Sequence, residues 1–116
     1  MKMDWKMLAI GVALAVGFWV YAGGLGRTSP AVAREQVKKG ALLVDVRTAE
    51  EFASGHIEGA INIPVQNLEA RMSELPKDRA LVLYCRSGGR SARAMRMLKE
   101  KGYTAFDLGG MGNWTP

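Results

Sequence analysis

The chain contains one cysteine, Cys85, followed by Arg86-Ser87-Gly88-Gly89-Arg90-Ser91. A lone cysteine can form no internal disulfide and no Cys-x-x-Cys redox pair. With His56 as the only histidine, the ligands for a zinc site are also lacking. Taken alone, such a cysteine reads as a small core hydrophobe. Its neighbours point to chemistry instead. Gly88 and Gly89 let the backbone curl so that successive N–H groups turn inward as an anion nest. A helix expected from Ser91 adds its positive end, and Arg86 and Arg90 add full charges. All of these favour the thiolate, which is the nucleophilic form of cysteine. They would equally hold a persulfide, which also carries negative charge on sulfur.

Other residues of chemical interest read as architecture. Asp45 and Arg47 end an apolar run and are placed to pair with each other or with nearby backbone, although Arg47 also lies on the side of the sheet where a substrate would arrive. His56, in Gly55-His56-Ile57, reads as a structural side chain rather than a base. Asp107 and Trp114 read as closing and packing residues, and Gly109-Gly110 as a tight turn near the end of the sheet.

The elements that would position Cys85 follow from local pattern. Ser29-Pro30 reads as an N-cap with proline in the first helical position, for a helix over Ala31–Lys39 that stops at Gly40. Ala41–Val46 is a continuous apolar run, as in a strand buried on both faces of a parallel sheet. Thr48 and Glu51 have capping-box spacing for a short helix to Ala53. A short strand over Ala60–Ile63 is closed by Pro64, and Val65–Leu75 carries leucine and methionine at helical spacing. Ala80–Tyr84 is another buried strand and delivers Cys85 at its carboxyl end, where α/β sheets collect ligands. Ser91–Lys101 reads as a helix, with Ala94, Met95 and Leu98 on its inner stripe and Arg93, Arg96 and Lys99 outward. Tyr103–Leu108 is the last strand. Strands alternating with helices predict an α/β domain with a mostly parallel sheet.

The 116 residues suffice for one domain. Residues 7–26 form an uncharged apolar stretch of twenty, the length of a helix spanning about 30 Å of hydrocarbon. Trp5 lies at one edge and Trp19 and Tyr21 near the other, as interfacial aromatics do. The expected organisation is therefore a transmembrane anchor over residues 1–26, then a domain over residues 27–116. A cleaved signal peptide, with Val20-Tyr21-Ala22 at the cut, is the alternative. Lys2 and Lys6 on the short tail favour a bacterial-type inner membrane with the domain on the periplasmic side. Arg27, Arg34, Lys38 and Lys39 on the other flank keep a cytoplasmic-facing domain open. The formal net charge is +5, and six basic residues against one acid fall between Arg86 and Lys101. No aromatics interleave with them, so nucleic-acid binding is not expected.

From Thr28 to Trp114 the sequence resembles a single-domain rhodanese. The matching pieces are Leu43-Val-Asp-Val-Arg47, Glu51-Phe52, Gly55–Pro64, the loop Cys85–Ser91, Leu98–Tyr103, and Gly109-Gly110 with Trp114. The resemblance implies about five mostly parallel strands with helices on both faces. It also implies a sulfurtransferase without metal or organic cofactor. Cys85 would take the outer sulfur of thiosulfate or a persulfide donor and pass it to cyanide, a thiol or a protein sulfur acceptor. The backbone of Arg86, Ser87, Gly88, Gly89, Arg90 and Ser91 would cradle that sulfur, with Arg86 and Arg90 suited to a sulfonate-like anion. Related phosphatases of the same fold place five residues between cysteine and arginine, whereas Arg86–Gly89 are four, a ring that fits one sulfur atom better than phosphate. Phosphatase or arsenate reductase is thus the lesser enzymatic alternative. A non-catalytic module that binds a membrane partner or relays sulfur within a complex is the other.

Overall fold

Ser29 caps the first helix through its hydroxyl, which accepts the Val32 N–H at 3.1 Å, and Pro30 supplies the first helical residue of α1, Pro30–Lys38. A computed structural model describes residues 26–114, and the elements follow one another as the sequence pattern predicts, with adjusted ends. Strand β1, Leu42–Asp45, is followed by the short helix α2, Ala49–Ala53, which opens on the expected capping box. Thr48 Oγ1 accepts the Glu51 N–H, and Glu51 Oε1 accepts the Thr48 N–H, each at 3.1 Å. Strand β2 is only Ile61–Asn62. Helix α3, Leu68–Arg71, precedes β3, Leu81–Cys85. Helix α4, Gly89–Glu100, and strand β4, Ala105–Gly110, complete the unit.

The sheet order is β2-β1-β3-β4 and every pairing is parallel. Because side chains alternate along a strand, the two faces sort cleanly. Val44, Val46, Leu81, Leu83, Cys85 and Ala105 join Leu68 of α3 and Ala94, Met95 and Leu98 of α4 on one side. Leu43, Val82, Tyr84 and Leu108 join Ala33 of α1 on the other. Helices thus cover both faces, and the continuous apolar runs have their physical cause.

Four expectations change. Among the described residues the sheet has four strands, not five. The fifth place, beside β4, holds only a single bridge from Arg27 to Asp107, because Pro30 begins a helix three residues on. The helix expected over Val65–Leu75 is broken into a 3₁₀ turn at Val65–Asn67, then α3, then a second 3₁₀ turn at Met72–Glu74. The Tyr103 hydroxyl donates to the Met72 and Leu75 carbonyls, at 2.8 and 3.3 Å, and so ends the helix from outside. Helix α4 starts at Gly89 rather than Ser91, which brings its positive end closer to Cys85. Gly109 and Gly110 lie within β4 rather than in a turn after it. A register shift there sets Tyr84 opposite Gly109. Among the described residues no helix is long and apolar enough to cross a membrane. The span expected over residues 7–26 lies, except for Gly26, outside the described residues.

Candidate active site

Cys85 is the last residue of the central strand β3, and its side chain points to the face covered by α4. The chain then rises into a short loop and re-enters helix at Gly89. Gly88 is the N-cap of α4, with a φ of 109° that only glycine adopts without strain. With no capping side chain there, the first-turn N–H groups are free to serve another acceptor. That acceptor is the sulfur. The Gly88 N–H donates to Cys85 Sγ at 2.9 Å, and Ser91 Oγ lies 3.5 Å from Sγ. Ser91 is fully buried, and its hydroxyl is held in place by the Gly88 carbonyl at 3.1 Å and the Gly109 carbonyl at 3.4 Å.

Cys85 Sγ is out of contact with solvent. Burial by itself pushes the thiol up. Hydrogen bonds from the Ser91 hydroxyl and from the N–H groups of Ser91, Gly88 and Ser87 outweigh it, so the Cys85 thiol lies below its ordinary range. These contributions are short-range dipoles. Of the arginines expected to share the task, Arg90 acts on the sulfur through its charge alone, without a hydrogen bond to it. Arg90 turns to α2 and forms a two-pronged pair with Glu51, Nη1 to Oε1 at 2.6 Å and Nη2 to Oε2 at 3.0 Å. The Arg90 hydrogen bonds hold the Glu51 carboxyl well below the usual range, at about 2. Glu51 was read as a helix-capping residue only. Its second role, across 39 residues of sequence, leaves no local signal.

Arg86 is exposed and has no ion pair among the described residues. It lines an open cleft of about 390 Å³ together with Arg47, Glu51, Ser54, Met111 and Gly112. Arg47 does pair with Asp45, as its spacing suggested. Asp45 is fully buried and accepts four hydrogen bonds from Arg47, at 2.7–3.0 Å. Arg47 Nη2 also donates to the Gly55 carbonyl at 2.7 Å. His56 serves structure. Its ring stacks on Phe52 with centroids 3.7 Å apart, and Nδ1 meets the Phe52 carbonyl at 2.9 Å. Asp107 closes the strand end by accepting the Gly109 N–H at 2.8 Å.

Arg27, which in the sequence only flanks the apolar segment, reaches the active-site loop. Its Nη2 donates to the Ser87 carbonyl at 2.7 Å, and its side chain runs across Gly109 and Gly88. A Cβ on Gly109 would stand 2.8 Å from the Arg27 Cδ and Nε, and one on Gly88 would overlap the guanidinium. The signal available in the sequence was the Gly109-Gly110 pair, which marks close backbone approach.

The arrangement can hold a thiolate, or a sulfur bonded to it, in a ring of N–H and O–H donors beside a cationic cleft. The family model of the rhodanese-like domain matches residues 29–116. A sulfurtransferase of Allochromatium vinosum is 52% identical over 62 residues, covering 53% of this chain and 58% of that protein. Thiosulfate sulfurtransferase 16, chloroplastic, of Arabidopsis thaliana is 35% identical over 100 residues, covering 74% and 83%. The solved structure of a human single-domain sulfurtransferase superimposes with a TM-score of 0.67 at 33% identity, covering 76% and 93%. The chain spans about three-fifths of the length of the first curated relatives it matches.

Proposed function

The chain belongs to the rhodanese-like domain family, and from that premise we propose that it is a sulfurtransferase working through a Cys85 persulfide. The observation that carries the reading is the polar shell around Cys85 Sγ at the start of α4, where the Gly88 N–H donates to the sulfur at 2.9 Å and Ser91 Oγ lies 3.5 Å from it. The thiolate attacks the outer sulfur of thiosulfate. The sulfur–sulfur bond of the donor breaks, sulfite leaves with the electron pair, and Cys85 is left as a persulfide anion. Cyanide, a thiol or a sulfur-carrying protein then takes the outer sulfur, and the thiolate returns. No proton or electron enters from outside. The polar shell serves both anionic forms of the sulfur, which is why dipoles suit it.

Of the two arginines that line the cleft, Arg47 is engaged by Asp45, which leaves Arg86 to meet the donor. The Arg86 guanidinium therefore binds the sulfonate end of thiosulfate. The domain is held at a bacterial-type inner membrane by residues 7–26 and faces the periplasm, which a C-terminal reporter active on one side only would test. A thiosulfate:cyanide assay of the full chain beside Cys85→Ser tests the chemistry. Thiocyanate from wild type and none from the variant is the expected result. Equal trace activity in both would sink the enzymatic reading and leave a binding or relay module.

A further inference from the structure

We infer that Arg27 is a positioning residue for the Cys85 sulfur, acting through the Ser87–Gly88 peptide, and so deepening the role assigned to Cys85 above. A trans peptide is a rigid plane with its C=O and N–H on opposite edges, and no peptide among the described residues is cis. On one edge of this plane the Ser87 carbonyl accepts from Arg27 Nη2 at 2.7 Å. On the other the Gly88 N–H donates to Cys85 Sγ at 2.9 Å. The two hydrogen bonds share one peptide, so fixing the oxygen fixes where the hydrogen points.

The plane needs such a brace. Gly88 has a φ of 109° and no side chain, and glycine crosses between backbone regions at little cost. A rotated Ser87–Gly88 peptide would turn its carbonyl oxygen towards the sulfur and repel a thiolate. A cationic donor on the oxygen opposes that rotation. It also polarises the peptide, which strengthens the N–H on the far side. The fold has made room for it, because Gly88 and Gly109 both lack the Cβ that would collide with the Arg27 side chain. The backbone of Arg27 is tied as well, through its bridge to Asp107 and the Thr28 N–H to the Asp107 carbonyl at 2.7 Å. The active-site loop is thereby fastened to the first residues of the domain.

The test is the titration of the only cysteine, followed in the full chain by the ultraviolet absorbance of the thiolate, with Cys85→Ser as baseline. Arg27→Ala is expected to move the midpoint up by about one pH unit, or about tenfold less thiolate below it. Arg27→Lys, which keeps a charged donor without the planar fork, is expected to fall between the two. Arg79→Ala is the control: Arg79 Nε donates to the Gly40 carbonyl at 2.8 Å, a bond of the same kind that does not touch the sulfur. Its titration is expected to follow wild type. Superimposable curves for wild type and Arg27→Ala would overturn the inference, as would an equal displacement in Arg79→Ala. Should Arg27→Ala fail to fold, Arg27→Lys decides, an upward midpoint supporting the brace and an unchanged one rejecting it. The titration uses neither sulfur donor nor acceptor, so it stands or falls independently of the thiosulfate assay.

Discussion

Two neighbouring strands, β1 and β3, end side by side with Asp45 paired to Tyr84, and each delivers an anion-forming residue to the same edge of the sheet. At the end of β1 the anion is a buried carboxylate, and the residue two positions on satisfies it with three hydrogen bonds from its guanidinium and one from its backbone N–H. At the end of β3 the anion is a sulfur, met by backbone N–H groups and a serine hydroxyl, while the nearby Arg90 gives its hydrogen bonds to Glu51. The difference follows from what each charge must do. A fixed charge is best held by a fixed countercharge, since breaking the pair strands both ions. A sulfur that passes between thiolate and persulfide needs donors that serve either form without binding it irreversibly. Dipoles at a helix start do that, and they cost little reorganisation when the charge moves outward by one atom.

The largest effect is expected at the end of β1. Asp45→Ala leaves the Arg47 guanidinium, only 5% exposed, without its carboxylate. A loss of about 3–5 kcal/mol is expected, read from urea unfolding, a large share of the roughly 5–15 kcal/mol that holds a domain folded. Cys85→Ser should change the same midpoint by less than about 1 kcal/mol, since the replacement is close in size and keeps a donor and acceptor for Ser91. If Asp45→Ala unfolds no more easily than Cys85→Ser, the β1 end is not a structural clamp.

Gly88→Ala attacks the β3 end in the corresponding way. Alanine at a φ of 109° is strained, and its Cβ would displace the Arg27 guanidinium. The expected cost is about 1–2 kcal/mol in stability. Sulfur transfer should suffer more than stability, falling roughly tenfold or more, because a preorganised donor to the reacting sulfur is misplaced. Unchanged turnover in Gly88→Ala would show that the N–H pointing at Sγ contributes nothing to the reaction.

The local grammar of both ends was legible. Pro30 after Ser29, the Thr48–Glu51 box and the unbroken apolar runs each encode an element through its nearest neighbours, and all were found where expected. The placing of Cys85 at a strand end before a helix was equally local. What escaped was long-range. The pairing of Arg90 with Glu51 and the reach of Arg27 to Ser87 join residues 39 and 60 positions apart. The Tyr103 hydroxyl, which breaks the Val65–Leu75 segment, acts across 31. Arg90 reads locally as an anion-site charge, Glu51 as a cap of its own helix, Arg27 as a flank of the apolar segment and Tyr103 as the start of a strand, because periodicity carries no information about partners brought in by the fold. The two arginines of the loop were read as equivalent for that reason, and the structure separates them. Arg86 faces the cleft, whereas Arg90 is neutralised.

That separation can be sharpened by Glu51→Gln, the mildest of these changes. Glutamine keeps the oxygen that accepts the Thr48 N–H, so the capping box survives and only the ion pair with Arg90 is lost. Both side chains still reach water, at 34% and 24% exposure, so the pair contributes about 1 kcal/mol or less. Its pH dependence has a definite sign. The Glu51 carboxyl is depressed to about 2 from an ordinary 4.5, so its contribution is present above the ordinary value and fades as pH falls towards the depressed one. Wild type should therefore exceed Glu51→Gln by a constant margin near neutrality, and urea midpoints should converge between pH 4.5 and about 2. Because Arg90 contributes no hydrogen bond to Cys85, the thiolate titration should move far less in Glu51→Gln than in Arg27→Ala. A larger movement in Glu51→Gln would mean that the charge of Arg90, rather than the dipoles of the loop, sets the state of the sulfur.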